Sequence, residues 1–198
     1  MIITIGRQFG SGGREIGKAL AIELGITYYD KELLLLAAQK SGLDQAFLES
    51  RDESEKSNLL YSLIMGGTFA AQGCYSVGYM AKQAQYNAVQ SVAQKGDCVI
   101  VGRCADYILR DYNNLVRVFI TAEENDRVEH ISKRDRIDSK EARKRMLRTD
   151  KERSLYYNCN TDQQWGNAAS YDLCINTSML GVNGTVRLIK SYISEKDK

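Results

Sequence analysis

Along the chain, short runs of apolar residues alternate with stretches whose apolar positions recur every three to four residues. Residues 2–5 (IITI) read as a strand buried on both faces, as in a parallel sheet. From Arg14, the positions Ile16, Ala19, Leu20 and Leu24 follow helical spacing, and Gly25 is a natural stop. Residues 26–29 form a short strand candidate. Residues 98–101 (CVIV), closed by Gly102, and residues 115–120 (LVRVFI) are two more buried runs. Thr121 with Glu124 three residues on has the capping-box spacing and predicts a helix start. Residues 173–175 (LCI) are a last short strand, and a final helix is expected over about residues 183–193. Five strands separated by helices predict an α/β fold: a three-layer sandwich around a five-stranded, doubly wound parallel sheet.

Two segments stand outside this alternation. Residues 31–95 are helical in pattern with no convincing strand, and form an insert between the second and third strands. Residues 133–157 (KRDRIDSKEARKRMLRTDKERSLYY) are dense in charge, with Asp138 and Glu141 as a second capping box. By composition such a run is a solvated helix face. The expected division is therefore one domain with a core of 1–30, 96–132 and 158–198, an insert of 31–95 and a lid of 133–157.

Composition narrows the chemistry. The 198 residues suit one domain, and 43% hydrophobic content supplies a core. With 27 basic and 25 acidic residues, the formal charge is +2, which argues against a nucleic-acid coat. The single histidine excludes a multi-histidine metal site, and any Ser-His-Asp triad would have to use His130, which reads better as an ordinary helix residue. The absence of proline removes polyproline segments. No secretory signal and no run of about 20 apolar residues is present, so no membrane role is expected. Cys74, Cys98, Cys104, Cys159 and Cys174 lack CxxC spacing and read as reduced packing thiols of a cytoplasmic protein.

The sharpest local feature is the turn between the first strand and the first helix, residues 6–15 (GRQFGSGGRE). Glycines let backbone approach a ligand, and the helix N-terminus offers free N–H groups and the positive end of a dipole. Together they make an anion site, most often for phosphate. The turn is not a standard Walker A, G-x-x-x-x-G-K-[ST]. In one register Gly10, Ser11 and Gly12 close the loop, Gly13 stands where the lysine belongs and Arg7 where the first glycine belongs. In the other, Gly12 and Gly17-Lys18 match, but the glycine and lysine fall inside the helix pattern. The first register fits better. Arg7 and Arg14 are then the candidates for the missing positive charge, and arginine binds phosphate in bidentate fashion. No Ser/Thr hydroxyl occupies the usual magnesium position. Ser11 and Glu15 are the nearby oxygens, acting through water, and phosphates and water can hold the ion otherwise.

The stretch ITIGRQFGSGGREIGKALAIELGITYYDKELL, with VIVGRCADYIL from Val99, TDKERSLYY from Thr149, WG at Trp165 and YDLCINTSMLG from Tyr171, resembles the cytidylate kinase-like family. The resemblance implies a P-loop fold of nucleoside monophosphate kinase type and ATP-dependent phosphoryl transfer with Mg²⁺, with CMP the leading acceptor and a small-molecule nucleotide the expected partner. It places Gly10, Ser11, Gly12, Gly13, Arg14 and Glu15 at the donor phosphates. It places Asp30, Gly102 and Arg103 at the acceptor. Arg134, Arg148 and Arg153 resemble lid arginines, with Arg136, Arg145 and Lys151 as alternatives in register, and Asp150 would orient them or contact the sugar. Residues 176–180 would lie near the donor adenine. The sequence departs from the family's cousins in lacking the loop lysine. That departure motivates two further expectations: a nucleotide- or phosphate-binding module without turnover, and a kinase with a non-nucleotide acceptor. Trp165, Tyr156 and Tyr157 suit core or hinge roles better than base stacking, and Asp172 a structural cap or pair.

Overall fold

The computed structural model describes residues 1–30 and 75–196. Five strands, β1 (Ile2–Arg7), β2 (Thr27–Tyr29), β3 (Cys98–Val101), β4 (Leu115–Thr121) and β5 (Leu173–Asn176), form one parallel sheet in the order β2-β3-β1-β4-β5. The expected α/β sandwich is therefore present, with its first strand at the centre. Buried residues of β1, β3 and β4 explain why: Ile3, Ile5, Ile100, Val118 and Ile120 are all fully enclosed.

The helices pack on both faces. α1 (Gly13–Leu24) turns Ile16, Gly17, Leu20 and Ala21 to the sheet, and Gly25, at φ 67°, ends it by donating to the carbonyls of Ala21 and Ile22. α6 (Thr177–Lys196) joins α1 on that face through Val186, Ile189 and Ile193. α2 (Tyr75–Gln94) and α3 (Ala105–Ile108) cover the other face, where Val89, Val92, Leu109 and Tyr157 meet Ile2 and Ile100. Of the expected insert, α2 is described as helix, and the rest lies outside the described residues.

Residues 133–157 cover the end of α4 (Glu124–Asp135) and most of α5 (Ser139–Asn160), which form a helical hairpin. Asp138 caps α5 as expected, accepting from the Glu141 amide at 2.9 Å. The hairpin has a small core of its own, Val128, Ile131, Ala142 and Met146.

Three boundaries differ from expectation. β1 continues through Gly6 and Arg7, which pair with Phe119 and Ile120. Thr121 does not cap α4: it ends β4, its hydroxyl faces the Ile175 carbonyl, and the helix starts at Glu124 without a side-chain cap. The last helix begins at Thr177, interrupted at Gly181 (φ 62°, ψ −177°), which hides its first turn from the apolar periodicity. Among the described residues no helix is long and apolar enough to cross a membrane.

Candidate active site

β1, β3 and the turns that follow them end at one edge of the sheet, the edge where open α/β sheets bind ligands. Between β1 and α1 the chain folds tightly over Gly10 (φ 82°) and Gly12 (φ 78°), both left-handed. A Cβ on Gly10 would lie 2.8 Å from the Arg127 carbonyl, so the turn demands glycine twice over, for conformation and for space. Among the described residues nothing accepts from the N–H groups of Gly10, Gly12 and Gly13. All three glycines line one depression at the N-terminus of a three-turn helix, where backbone donors and the helix dipole favour an anion. The alternative register is excluded by position: Gly17 lies inside α1, packed against Val101 and Tyr28.

The turn is clamped at Phe9. Its N–H donates to Asp150 Oδ1 at 2.7 Å, and its carbonyl accepts from Arg127 Nε at 2.8 Å. Arg127 and Asp150 are themselves ion-paired, and the Arg127 side chain is only 7% exposed. The Phe9 ring packs on the small core of the helical hairpin. The guanidinium groups of Arg134 and Arg153 lie 4.9 and 5.3 Å from its centroid, within cation–π range.

Around this turn positive charge is concentrated. Burial first, then Arg153, Arg103 and Arg14, push the Arg7 guanidinium down to about 9. Burial likewise lowers Arg153, to about 10, and Arg153 donates to the Arg7 carbonyl at 3.1 Å. Arg14 holds Asp30 Oδ2 with Nε at 3.2 Å and Nη2 at 2.7 Å, and that hydrogen bond raises its pKa. Arg103 donates to Gln85 Oε1 at 3.2 Å, and its carbonyl accepts from Gln85 Nε2 at 3.0 Å. Tyr156 donates to the same Gln85 oxygen at 2.5 Å. Gly102, Arg103 and Cys104 are three consecutive positive-φ residues (80°, 65° and 54°), a strained backbone of the kind that persists at ligand sites.

Three depressions run side by side along this edge. The central one, about 420 Å³, is lined by Arg7, Phe9, Gly12, Asp30, Arg134 and Arg153 among others. A second, about 370 Å³, shares Gly10, Gly12 and His130 with it and reaches Thr177, Ser178 and Val182. The third, about 280 Å³, shares Arg7, Val101 and Arg153 with the centre and extends over Arg103, Tyr156, Trp165 and Tyr171 to Asp106. Asp106 is buried at its floor and receives the Tyr157 hydroxyl at 2.6 Å; burial raises the pKa of both groups. Trp165 and Tyr171 are held against Phe119, at centroid distances of 5.3 and 4.9 Å.

The structure thus gathers Arg7, Gly10, Gly12, Gly13, Arg14, Glu15, Asp30, Arg134 and Arg153 around the central depression, with Gly102 and Arg103 at the third. Asp150 is engaged in the Phe9 clamp. Arg148 lines none of the three depressions; it is two-thirds exposed and lies 3.7 Å from Glu152. Of the alternatives in register, Arg145 pairs with Asp135 at 2.7 Å, beside Arg134. Ser11 is no metal ligand here: its hydroxyl is buried against the carbonyls of Gln8 and Ile120, and Glu15 lies 3.4 Å from His130. Glu15, about half exposed and lining the central depression, keeps a carboxylate within the cleft. Asp172 is structural, accepting from the Arg117 amide and guanidinium at 2.7 and 2.8 Å. Sequence reading missed Arg127, Phe9 and Gln85. Only Phe9, an aromatic residue inside a glycine-rich turn, left a visible signal.

A sequence model of the cytidylate kinase-like family matches residues 2–179. A cytidylate kinase of Saccharolobus islandicus (strain L.S.2.15 / Lassen #1) is 25% identical over 98% of this chain and 91% of its own length. Among solved structures, an uncharacterized protein from Eubacterium ventriosum ATCC 27560 superposes with a TM-score of 0.74 and 30% identity, covering 98% of both chains. The shikimate kinase of Bacteroides thetaiotaomicron has the same fold, with a TM-score of 0.54 at 11% identity and 98% coverage of both chains.

Proposed function

Since the chain belongs to the cytidylate kinase-like family, we propose that it transfers the terminal phosphoryl group of ATP to a small acceptor, a nucleoside monophosphate and in the first instance CMP. The observation that carries this reading is the row of three adjoining depressions with the glycine turn and four arginines at its middle. A donor nucleoside fits the depression over Thr177 and Ser178. Its phosphates lie along the turn's amides, and the acceptor fills the aromatic depression beyond Arg7 and Arg153. Mg²⁺ enters with ATP as part of the substrate.

In the reaction an acceptor phosphate oxygen bonds to the γ-phosphorus, the bond to the β–γ bridging oxygen breaks, and ADP leaves. An acceptor phosphate is ionised at neutral pH, so no general base is needed; arginines and amides stabilise the charge spread over the transferring group. This suits a cleft whose single histidine, His130, lies 3.4 Å from Glu15. Of its buried carboxylates among the described residues, Asp106 receives the Tyr157 hydroxyl, and Asp30 is engaged by Arg14 and lies 3.5 Å from the Tyr28 hydroxyl. A sugar hydroxyl would have to lose a proton, and Asp30 would have to leave Arg14 to take it. Arg134, Arg153 and, from the outer face of the hairpin, Arg148 act as lid cations; Asp150 positions the loop beneath them.

The second reading is a module that holds nucleotide without turnover, favoured by glycine at position 13. ADP release coupled to a dehydrogenase reaction, with MgATP and a panel of CMP, dCMP, UMP, AMP and sugar acceptors, separates the two. Acceptor-dependent turnover with one monophosphate is expected. ATP bound tightly with no acceptor turning over would leave only the binding module.

A further inference from the structure

The loop lysine is absent, yet its place is not empty. An ideal Cβ on Gly13 would lie 2.7 Å from Arg7 Cβ and 2.9 Å from Arg7 Cγ. The stem of Arg7 therefore occupies the space that any side chain at position 13 would need. The other end of Arg7 makes the same demand on a second glycine. A Cβ on Gly102, at the end of β3, would collide with Arg7 Nη1. Arg7 thus lies between the first residue of α1 and the strained turn after β3, and it lines both the central depression and the aromatic one.

Its surroundings are those of a cation waiting for an anion. Among the described residues no carboxylate pairs with the Arg7 guanidinium, whereas Arg14, Arg117, Arg127, Arg134 and Arg145 each have one. Instead burial, and after it the charges of Arg153, Arg103 and Arg14, hold it well below the ordinary arginine value, at about 9. Burying a charge without a partner is costly, and a purely structural side chain at this position would be better apolar.

We propose that Arg7 is the phosphate-binding cation of this site, taking from β1 the role that a Walker lysine plays from the first turn of the helix. Gly13 and Gly102 are the two positions that make room for it. In the Walker frame, glycine and cation have exchanged ends of the loop: Arg7 stands for the first glycine and Gly13 for the lysine. The relocated cation lines the central and the acceptor depressions at once, so its ligand is the phosphate chain that runs between donor and acceptor. The inference rests on the phosphotransfer reading for the identity of that chain, but its central claim concerns polyphosphate binding alone.

The test measures MgATP and MgADP affinity by calorimetry, with fluorescence of Trp165, the single tryptophan, as a second signal. Arg7→Gln should weaken MgATP by roughly 10- to 100-fold, the scale of a lost charge-assisted hydrogen bond, and slow any acceptor-dependent turnover by roughly 10³-fold. Its ligand-free melting temperature should stay level or rise, because a buried, unpaired cation is gone. Gly13→Lys should also bind poorly, because Arg7 fills the space. The double variant Arg7→Gly with Gly13→Lys should recover most of the affinity that Arg7→Gly loses. Wild-type affinity in Arg7→Gln would overturn the proposal. So would a double variant no better than Arg7→Gly, or an Arg7→Gln protein that melts far below the wild type. If affinity follows Arg7 while no acceptor turns over, the kinase reading fails and this one stands. If Arg7→Gln turns over at the wild-type rate, the reverse holds.

Discussion

Removing the Asp150 carboxylate tests whether the glycine turn is held from behind. Asp150 pairs with Arg127 and accepts from Phe9 N–H, while Arg127 grips the Phe9 carbonyl. Asp150→Ala leaves a guanidinium that is 7% exposed with no counter-charge. Breaking a fully buried pair costs about 3–5 kcal/mol. Asp150 itself is 17% exposed, so water reaches the pair and the low end, about 3 kcal/mol, is the working figure. For a chain of this size that lowers the melting midpoint by roughly 6–12 °C. Arg127→Met should cost less, since it removes the buried charge and leaves Asp150 the Phe9 amide. The double variant, with no ion left to bury, should be more stable than Asp150→Ala alone. Urea denaturation of the four proteins gives the cycle. A loss below about 1 kcal/mol for Asp150→Ala, or a double variant that is the least stable of the four, would refute the clamp. MgATP affinity measured alongside should fall in Asp150→Ala, because the clamp fixes the backbone whose next glycines line the cleft.

Arg14→Ala should lower MgATP affinity and turnover while changing stability by no more than about 1 kcal/mol, since Arg14 is half exposed and its ion pair screened; unchanged nucleotide binding would show that the loop register is misplaced. Asp135 is held at about 2, below its ordinary 3.8, first by its hydrogen bond from Arg134 and then by Arg145. Its contribution is complete above pH about 4 and lost as pH falls towards 2, so Asp135→Asn should flatten the melting temperature over that interval, and parallel curves would contradict it. Tyr157→Phe takes the donor from a buried Asp106 carboxyl and should cost about 1–3 kcal/mol in urea, with a further rise in the Asp106 pKa; a neutral effect would mean that water or Gln163 replaces the hydroxyl.

The parallel sheet was legible because strands buried on both faces leave continuous apolar runs, and 98–101 and 115–120 were found where they lie. The end of β1 was not, because Gly6 and Arg7 carry no apolar signal; their strand character comes from pairing with Phe119 and Ile120. Thr121 misled for a related reason: its hydroxyl serves the neighbouring strand at Ile175, not the helix after it. The glycine turn was readable from its glycines, since their conformational need is local. The clamp on Phe9 was not, because it joins residues 141 and 118 positions apart, and nothing in the local pattern of α4 or α5 marks Asp150 or Arg127 as partners. The proposal of Arg7 over Arg14 as the loop's cation likewise rests on space, not sequence, since both flank the glycines.

The near-neutral charge takes on a different meaning once arginines are sorted by partner. Arg117, Arg127 and Arg145 are each matched to a carboxylate away from the cleft, and Arg134, which lines it, is matched to Asp135. At the cleft, among the described residues, no carboxylate pairs with Arg7, Arg103 meets Gln85, and Arg153 donates to a backbone carbonyl. Among the described residues, Arg7, Arg103 and Arg153 thus stand without carboxylate partners beside the glycine turn, at a cost in stability that a bound polyanion would relieve. A ligand with several phosphates should consequently stabilise this fold more than one with a single phosphate, since it alone spans Arg7 and the amides together. Melting temperatures with equal, saturating ATP and CMP, and with inorganic phosphate, would order as ATP above CMP above phosphate. Equal shifts would mean that the cluster is not read as one site.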